Sequence, residues 1–317
     1  MKIVLVESLA VSEEVINGFK DKLNELGHEF VSYNERTSDL NEFRERVKDA
    51  DIVIEGNWPL SKDMIYAMEK AKYLCVAFSG IDHVNRDAVV EKGITVSNCA
   101  GYANDSVAEI ALEMMLNILR NVKKVDQLAR EGKTKDGYVG NELRGKTVGI
   151  IGMGAVGKRL AEILKVFDVR VVFYAPRVRD DMLELGESMS FEDVLKVSDI
   201  VSLHCPLTDE TRGLINKETI GMMKDGAILI NTARGPVVDY AALAEALENG
   251  KIRGAGIDVF ETEPPVPEDH VLFGFENVIT TPHVAFATKE SMVKRANIAF
   301  DNVFAYLDGD PKNVKIG

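Results

Sequence analysis

Short apolar runs alternate with amphipathic stretches along the whole chain, a pattern that is typical of parallel α/β folds. In the first hundred residues these runs are KIVLVES, DIVIEG, YLCVAFS and ITVSN, and each predicts a strand. After the first of them, EEVINGFKDKLNELG has one apolar face and ends at Gly27, which predicts a helix with glycine at its C-terminus.

A more regular series of apolar runs begins after Lys146. It predicts six strands with helical connections, at 147–151, 170–174, 199–203, 227–231, 253–259 and 277–281. That number matches a complete doubly wound dinucleotide-binding sheet. The helix predicted ahead of this series, in GYANDSVAEIALEMMLNILRNVKKV, carries a capping box at Ser106 and Glu109 and is apolar on nearly every face. We therefore expect it to be buried between domains or subunits.

The first strand of this series runs into the motif GMGAVG at residues 152–157, and an amphipathic helix follows. This context distinguishes a dinucleotide site from a structural glycine turn. Gly152 permits the tight turn, Gly154 lets the backbone approach a pyrophosphate, and Gly157 lets the helix pack closely on the strand. The N–H groups at the start of the helix are then available to the anion.

The next strand lacks the acid that usually ends it and binds the ribose 2′-hydroxyl. Ala175 occupies that place, followed by Pro176 and Arg177. Without a carboxylate nothing repels a 2′-phosphate, and Arg177, with Arg179, would pair with it. The alternative is that these arginines are solvated and partly neutralised by the aspartates that follow. The pattern favours NADP(H) as cofactor, with NAD(H) as the alternative.

Polar residues follow several of the predicted strands, at the sheet edge where ligands of α/β folds bind. An arginine, an acid and a histidine there would suit the reduction of a 2-keto acid. The arginine holds the carboxylate and polarises the carbonyl, the histidine supplies a proton, and the acid orients the histidine. Spacing alone leaves two choices open, Glu261 or Glu263 as the acid and His204 or His283 as the histidine. Arg234 in NTARG is the candidate arginine.

Composition narrows the class of protein further. The length of 317 residues favours two domains. The formal net charge of -13 argues against a nucleic-acid partner. No run predicts a membrane span or a signal peptide, and the three cysteines form no CxxC pair, so we expect a cytoplasmic protein with reduced thiols. No metal-ligand spacing occurs, and no metal is expected.

The order of motifs resembles that of the D-isomer-specific 2-hydroxyacid dehydrogenases, a family that includes glyoxylate/hydroxypyruvate reductase and phosphoglycerate dehydrogenase. The resemblance covers nearly the whole chain. It rests on FSGIDHVN, SVAEIAL, LRGKTVGIIGMGAVG, SLHCPLTDETRGLIN, INTARGPVVD, DVFETEPP and TPHVAFAT.

The resemblance implies roles for individual residues. Arg234 is the substrate-binding and polarising arginine, His283 the proton donor and Glu263 its paired acid. The substrate is implied to bind at Ser79, Gly80, Asn104 and Arg234, with its carboxylate at the amides of Ser79 and Gly80 and at Arg234. Cofactor contacts are implied at Val107, Gly152, Gly154, Ala155, Val156, Gly157, Ala175, Pro176, Arg177, His204, Cys205, Pro206, Thr211, Thr232, Ala233, Arg234, Asp258 and His283.

The implied architecture is a flavodoxin-like substrate domain, residues 1–99 with 285–317, and a doubly wound Rossmann domain, residues 100–284. The family also implies a homodimer, for which the apolar helix after Ser106 is suited. The expected substrate is a small 2-keto acid of the glyoxylate or hydroxypyruvate type, or the corresponding D-2-hydroxy acid. Phosphoglycerate dehydrogenase is the alternative, and a non-catalytic, dinucleotide-sensing interaction protein is the alternative of another class. Asn57 and Trp58 depart from the family pattern, and Trp58 either lines the substrate site or packs within its domain.

Overall fold

The predicted apolar runs form strands of two separate sheets in the computed structural model, which describes residues 1–263 and 265–317. The strands are β1 (Lys2–Leu5), β2 (Glu29–Ser32), β3 (Ile52–Glu55), β4 (Tyr73–Val76), β5 (Thr95–Asn98), β6 (Thr147–Ile151), β7 (Arg170–Tyr174), β8 (Glu187–Ser188), β9 (Ile200–Leu203), β10 (Ala227–Asn231), β11 (Ile252–Ile257), β12 (Val278–Thr280) and β13 (Val314–Ile316). The helices are α1 (Glu13–Glu25), α2 (Leu40–Val47), α3 (Lys62–Ala67), α4 (Arg86–Lys92), α5 (Asn104–Arg120), α6 (Val122–Arg130), α7 (Ala155–Lys165), α8 (Asp180–Leu183), α9 (Phe191–Val197), α10 (Lys217–Met222), α11 (Tyr240–Glu248) and α12 (Lys289–Leu307).

The chain divides into two units. The first unit contains residues 1–103 and 287–317, and the second unit contains residues 104–286. None of the helices in the described part of the chain is long and apolar enough to cross a membrane.

The first unit is built on a sheet with the strand order β13-β5-β4-β3-β1-β2. Its five N-terminal strands are parallel, and their order is that of flavodoxin-like folds. The C-terminal segment completes this unit, since β13 pairs antiparallel with β5 and α12 packs on the sheet. Phe300 of α12 stacks on Phe19 of α1, with ring centroids 3.9 Å apart.

The second unit has the strand order β12-β11-β10-β9-β6-β7-β8, and all its strand pairs are parallel. From β11 to β8 this is the order of a doubly wound dinucleotide-binding sheet, with β12 added beside β11. The apolar helix α5 lies against this sheet. Added side chains at Gly254 and Gly256 of β11 would meet Ile118 and Met114 of α5 at 2.7 Å, so these glycines permit the close approach.

The expected α/β fold with its two sheets is confirmed, and the six strands predicted after Lys146 all form. The pattern missed β2, β8 and β13. These lie at or next to the sheet edges, where β2 buries only Phe30 and β8 has two residues, so their sequences carry little apolar alternation. The predicted capping box is wrong, because α5 begins at Asn104 and Ser106 already lies inside it.

Candidate active site

The glycine motif forms the turn between β6 and α7. Gly152 has a φ of 100°, and a side chain there would meet the backbone of His204 and Cys205 at 2.7 Å. A Cβ on Gly157 would overlap the carbonyl oxygen of Gly152. Gly154 is different, because it caps α7 with a φ of -78° and a Cβ there would have no atom within 4 Å. The motif thus leaves open space directly at the N-terminus of α7.

The segment after β7 contains Ala175, Pro176 and Arg177. This segment is exposed from Pro176 onwards. Arg177 forms no hydrogen bond or ion pair with any residue of the described chain. The neighbouring cations are already engaged, because the carboxylate of Asp181 accepts hydrogen bonds from Lys158 at 2.7 Å and from Arg179 at 3.1 Å. Among these cations of the described chain, Arg177 is thus the one that forms no ion pair.

His204 and Cys205 follow β9 and contact the glycine turn. Burial lowers the pKa of His204 to about 4 and raises the pKa of Cys205 to about 11, so both groups are neutral at physiological pH. The His204 ring bonds Ser202 through Nε2 at 2.9 Å, and its Nδ1 is buried without a partner among the described residues. The loop continues through Pro206, whose carbonyl accepts a hydrogen bond from Thr211 at 2.7 Å.

The turn after β10 presents Thr232, Ala233 and Arg234. Asn231, the buried last residue of β10, shapes it by accepting a hydrogen bond from the Ala233 amide at 3.1 Å and donating one to the Arg234 carbonyl at 3.0 Å. The Oγ1 of Thr232 is buried with no hydrogen-bond partner in the described residues. Sequence reasoning missed Asn231, although a polar residue in a buried strand is a signal for such a role.

Gly235 brings the arginine turn against the segment that carries Glu263. A Cβ on Gly235 would overlap the backbone of Phe260 and Glu261, so only glycine allows these two segments of the chain to touch. This glycine was also missed from the sequence. Because the contact involves backbone atoms on both sides, it fixes the spacing of Arg234 relative to the acid without depending on flexible side chains.

Asp258 is fully buried at the end of β11 and holds the loop after β12. Its carboxylate accepts hydrogen bonds from the Thr281 hydroxyl at 2.6 Å and from the Val284 and Ala285 amides at 2.9 and 3.0 Å. Burial raises the pKa of Asp258, and these hydrogen bonds oppose the rise. The loop carries His283 in the left-handed region, with a φ of 54°.

The His283 ring contacts Glu263. Its Nδ1 lies 2.7 Å from Glu263 Oε1, and the two side chains are 22% and 19% exposed. The second carboxylate oxygen of Glu263 accepts a hydrogen bond from the Phe260 amide at 3.2 Å, which orients the group. Glu261 instead pairs with His270 at 3.1 Å. The carboxylate of Glu263 thus faces the Nδ1 side of the His283 ring.

The predicted carboxylate-binding loop lies in the first unit, at the carboxyl end of β4. Ser79 is exposed, and its carbonyl accepts a hydrogen bond from the Asn98 side chain at 2.5 Å. Gly80 is half-buried beside it. Asn104 and Val107 lie in the first turn of α5, in the second unit, and both are half-buried.

These features are those of a nicotinamide-dependent oxidoreductase, and comparison with known proteins gives the family. Residues 112–285 match the NAD binding domain of the D-isomer specific 2-hydroxyacid dehydrogenases. The chain is 34% identical to hydroxypyruvate reductase of Blautia hydrogenotrophica, over 99% of both proteins, and 39% identical to glyoxylate reductase of Thermofilum pendens, over 79% of this chain and 76% of that one. An acyclic imino acid reductase in complex with NADPH and D-Arg superposes with a TM-score of 0.89 at 29% identity, over all of both chains.

The chain therefore belongs to the D-isomer-specific 2-hydroxyacid dehydrogenase family and is an oxidoreductase that acts on CH–OH donors with NAD or NADP. Its second unit fits such a dinucleotide. The space beside Gly154 admits a pyrophosphate at the helix N-terminus, and the unpartnered Thr232 hydroxyl is available for a further polar contact.

We predict that Gly154→Ala weakens dinucleotide binding without weakening the fold. The backbone at Gly154 suits alanine and the added methyl meets no protein atom, but it would occupy the path of the pyrophosphate. Overlap of this kind costs about 1–3 kcal/mol, or about 10- to 100-fold in Kd. Fluorescence titration with NADH and NADPH measures the affinity, and thermal unfolding without cofactor measures the stability.

Gly157→Ala is the matched control, because its methyl would overlap the Gly152 carbonyl and should lower the unfolding temperature. Wild-type affinity of Gly154→Ala for both dinucleotides would contradict this placement of the cofactor.

Proposed function

We propose that this enzyme reduces a small 2-keto acid of the glyoxylate or hydroxypyruvate type to the D-2-hydroxy acid, and catalyses the reverse oxidation. The contact between His283 and Glu263 is the observation that carries the proposal, since an acid–base pair is what carbonyl reduction requires from the protein. The names of the similar reductases support the substrate class. The nicotinamide supplies the hydride when it is bound.

Arg234 binds the substrate carboxylate and polarises the substrate carbonyl, with the amides of Ser79 and Gly80 as further carboxylate ligands and Asn104 as a further substrate-binding residue. A guanidinium suits this task because it stays charged and presents a planar fork of donors. The turn that carries Arg234 is fixed by Asn231 and by the backbone contact at Gly235, so the backbone of Arg234 has a defined position.

His283 donates the proton to the forming alkoxide from Nε2 and takes it back in the reverse reaction. Glu263 is a positioning residue that selects the Nδ1–H form of the ring and stabilises the imidazolium. His204 is unsuited to this role, because burial lowers its pKa to about 4 and leaves it without a proton to give at neutral pH.

NADP(H) is the proposed preferred cofactor, with NAD(H) as the alternative. Arg177 would bind the 2′-phosphate, because it is exposed, unpaired within the described chain and not opposed by an acid at Ala175. The remaining contacts would come from the first turn of α5, the glycine turn, the loops after β7, β9 and β10, and the ends of β11 and β12. They are Val107, Gly152, Gly154, Ala155, Val156, Gly157, Ala175, Pro176, His204, Cys205, Pro206, Thr211, Thr232, Ala233, Arg234, Asp258 and His283.

We predict that the wild type oxidises NADPH with glyoxylate or hydroxypyruvate and that His283→Gln lowers kcat by about 10²- to 10⁴-fold, the usual contribution of a general acid. Dinucleotide affinity should survive in this variant. Glu263→Gln should lower kcat with little change in KM, because the His283 ring loses the carboxylate that orients it.

Glu261→Gln is the control, since Glu261 contacts His270 instead, and its kcat should match that of the wild type. Near-normal turnover of His283→Gln would refute the catalytic assignment. No oxidation of either cofactor across a keto-acid panel would favour a non-catalytic, dinucleotide-sensing protein.

For the cofactor, we expect Arg177→Ala to raise the Kd for NADPH about tenfold or more and to leave that for NADH unchanged, as the loss of one charged hydrogen bond implies. Arg170→Ala removes an exposed arginine that pairs with Glu187 and serves as the control. Wild-type preference for NADH, or an unchanged NADPH affinity in Arg177→Ala, would exclude this role.

The chain is also proposed to form a homodimer. Helix α6 has no buried residue, although Val122, Val125 and Leu128 give it an apolar stripe, and Val139 in the following segment is 80% exposed. Sedimentation velocity should give twice the mass of the 35.0 kDa chain, and Leu128→Asp should shift the protein to monomer. A wild-type monomer at micromolar concentration would disprove the dimer.

A further inference from the structure

The carboxyl edge of the first unit's sheet carries a group of polar side chains that no catalytic step above uses. We call Glu7, Arg36, Asn57 and Trp58 the Arg36 cluster. Glu7 follows β1, Arg36 follows β2, and Asn57 and Trp58 follow β3. They come from three loops that the strand order places side by side at one edge.

Arg36 is held on three sides. Its Nε donates to the carboxylate of Glu7, one terminal nitrogen donates to the Asn57 side-chain oxygen, and the guanidinium lies over the Trp58 ring, 5.1 Å from the centroid. Glu7 is itself 2% exposed and accepts a hydrogen bond from the Gly56 amide at 2.7 Å. The Arg36 side chain stays 37% exposed, and its NH1 forms no hydrogen bond with the described residues. A guanidinium fixed in this way keeps one edge ready for an oxygen acceptor.

Unpartnered polar atoms are concentrated around the same sheet edge. Among the described residues, Glu55 Oε2, Asn98 Oδ1 and Arg295 Nε are buried without a hydrogen-bond partner. Glu55 ends β3, Asn98 ends β5, and Arg295 of α12 donates to the carbonyl of Leu9, just beyond β1. Buried polar atoms in native proteins are almost always satisfied, by water or by a ligand where protein atoms do not reach them. Water or a polar ligand can therefore satisfy these atoms.

The charges at this edge favour a ligand group that is negatively charged or accepts hydrogen bonds. Arg36 and Arg295 supply two positive charges, and Glu7 supplies one negative charge. Burial raises the pKa of Glu55 to about 7, and its carboxylate lies 2.8 Å from His83 Nε2.

The Arg36 cluster adjoins the loop proposed to bind the substrate carboxylate. Neighbouring strands are about 4.8 Å apart, and β3 lies directly beside β4, which leads into Ser79. Backbone hydrogen bonds from Leu60 to His83 and from Asn85 to Leu60 join the loops after β3 and β4. Arg36 follows β2 and reaches past β1 to Asn57 in the β3 loop, and β3 is the strand next to β4.

We propose that Arg36 is a specificity-determining residue that binds an oxygen acceptor, a hydroxyl or a carboxylate, at the far end of the 2-keto acid. The inference rests on the proposed function, because it takes the Ser79 loop as the binding site of the substrate's own carboxylate. Asn57 and Trp58 are positioning residues that orient the Arg36 guanidinium, so Trp58 would affect substrate binding without contacting the substrate.

Steady-state kinetics on the full chain with matched pairs of keto acids test this role. Hydroxypyruvate and 2-oxobutyrate differ by a hydroxyl in place of a methyl group, and oxaloacetate and 4-methyl-2-oxopentanoate differ by a carboxylate in place of an isopropyl group. The wild type should prefer the oxygen-bearing member of at least one pair in kcat/KM, and the pair with the larger ratio identifies the group that binds. Arg36→Met should reduce that ratio about 10- to 100-fold, mainly through KM. The kcat/KM for glyoxylate should stay unchanged, because glyoxylate has no group beyond its carbonyl carbon that could reach Arg36.

Arg44→Met is the matched control, because Arg44 is an exposed arginine of α2, outside the cluster. Thermal unfolding shows whether the loss of the partner of Glu7 unfolds Arg36→Met. If it does, Arg36→Lys decides, since it keeps the charge but loses the planar fork and should lower the ratio about tenfold. Reduction of glyoxylate with no preference within either pair, or a preference that survives in the folded Arg36 variants, would overturn the inference alone. Absence of turnover with every keto acid would instead refute the proposed function.

Discussion

Parallel pairing of the strands is the constraint on which the rest of the structure depends. Because all strands of the second unit run in one direction, their carboxyl ends share one edge, and each following turn adds its side chains there. The glycine turn, the Arg234 turn and the His283 loop come from β6, β10 and β12, which are far apart in the chain. The same constraint brings Glu7, Arg36 and Asn57 together in the first unit.

Backbone contacts at this edge replace side-chain freedom with fixed geometry. His283 has a left-handed backbone that costs about 1–2 kcal/mol for a residue with a Cβ. The buried carboxylate of Asp258 offsets this cost, since it accepts three hydrogen bonds from the loop that contains the histidine. Gly235 and Gly152 act in the same direction, because each allows two backbones to touch. The reactive side chains are thus mounted on rigid turns.

The strand series and the glycine motif could be predicted because both follow from local patterns, apolar periodicity and backbone demands over a few residues. The edge strands β2 and β8 could not, since they bury too little to impose a pattern. The choice between Glu261 and Glu263 could not be made from spacing, because it depends on which histidine the loop brings near. In the structure Glu263 contacts His283, and Glu261 contacts His270. Arg36 was missed because its partners come from other strands.

Local cations have to overcome the overall charge of this chain. The net charge of -13 disfavours anionic ligands, but at physiological ionic strength the Debye length is about 8 Å, so exposed charges farther than that from a ligand are largely screened. Recognition of an anion therefore depends on groups that act at contact distance, which are the helix N-terminus at Gly154 and individual guanidinium groups. A carboxylate beside an arginine, such as Asp181 beside Arg179, offsets part of the attraction of that arginine for an anion, whereas an unpaired arginine contributes a full charged hydrogen bond. The anion selectivity proposed for this enzyme would thus depend on how the fold pairs each guanidinium group and on which of its donors stay unused.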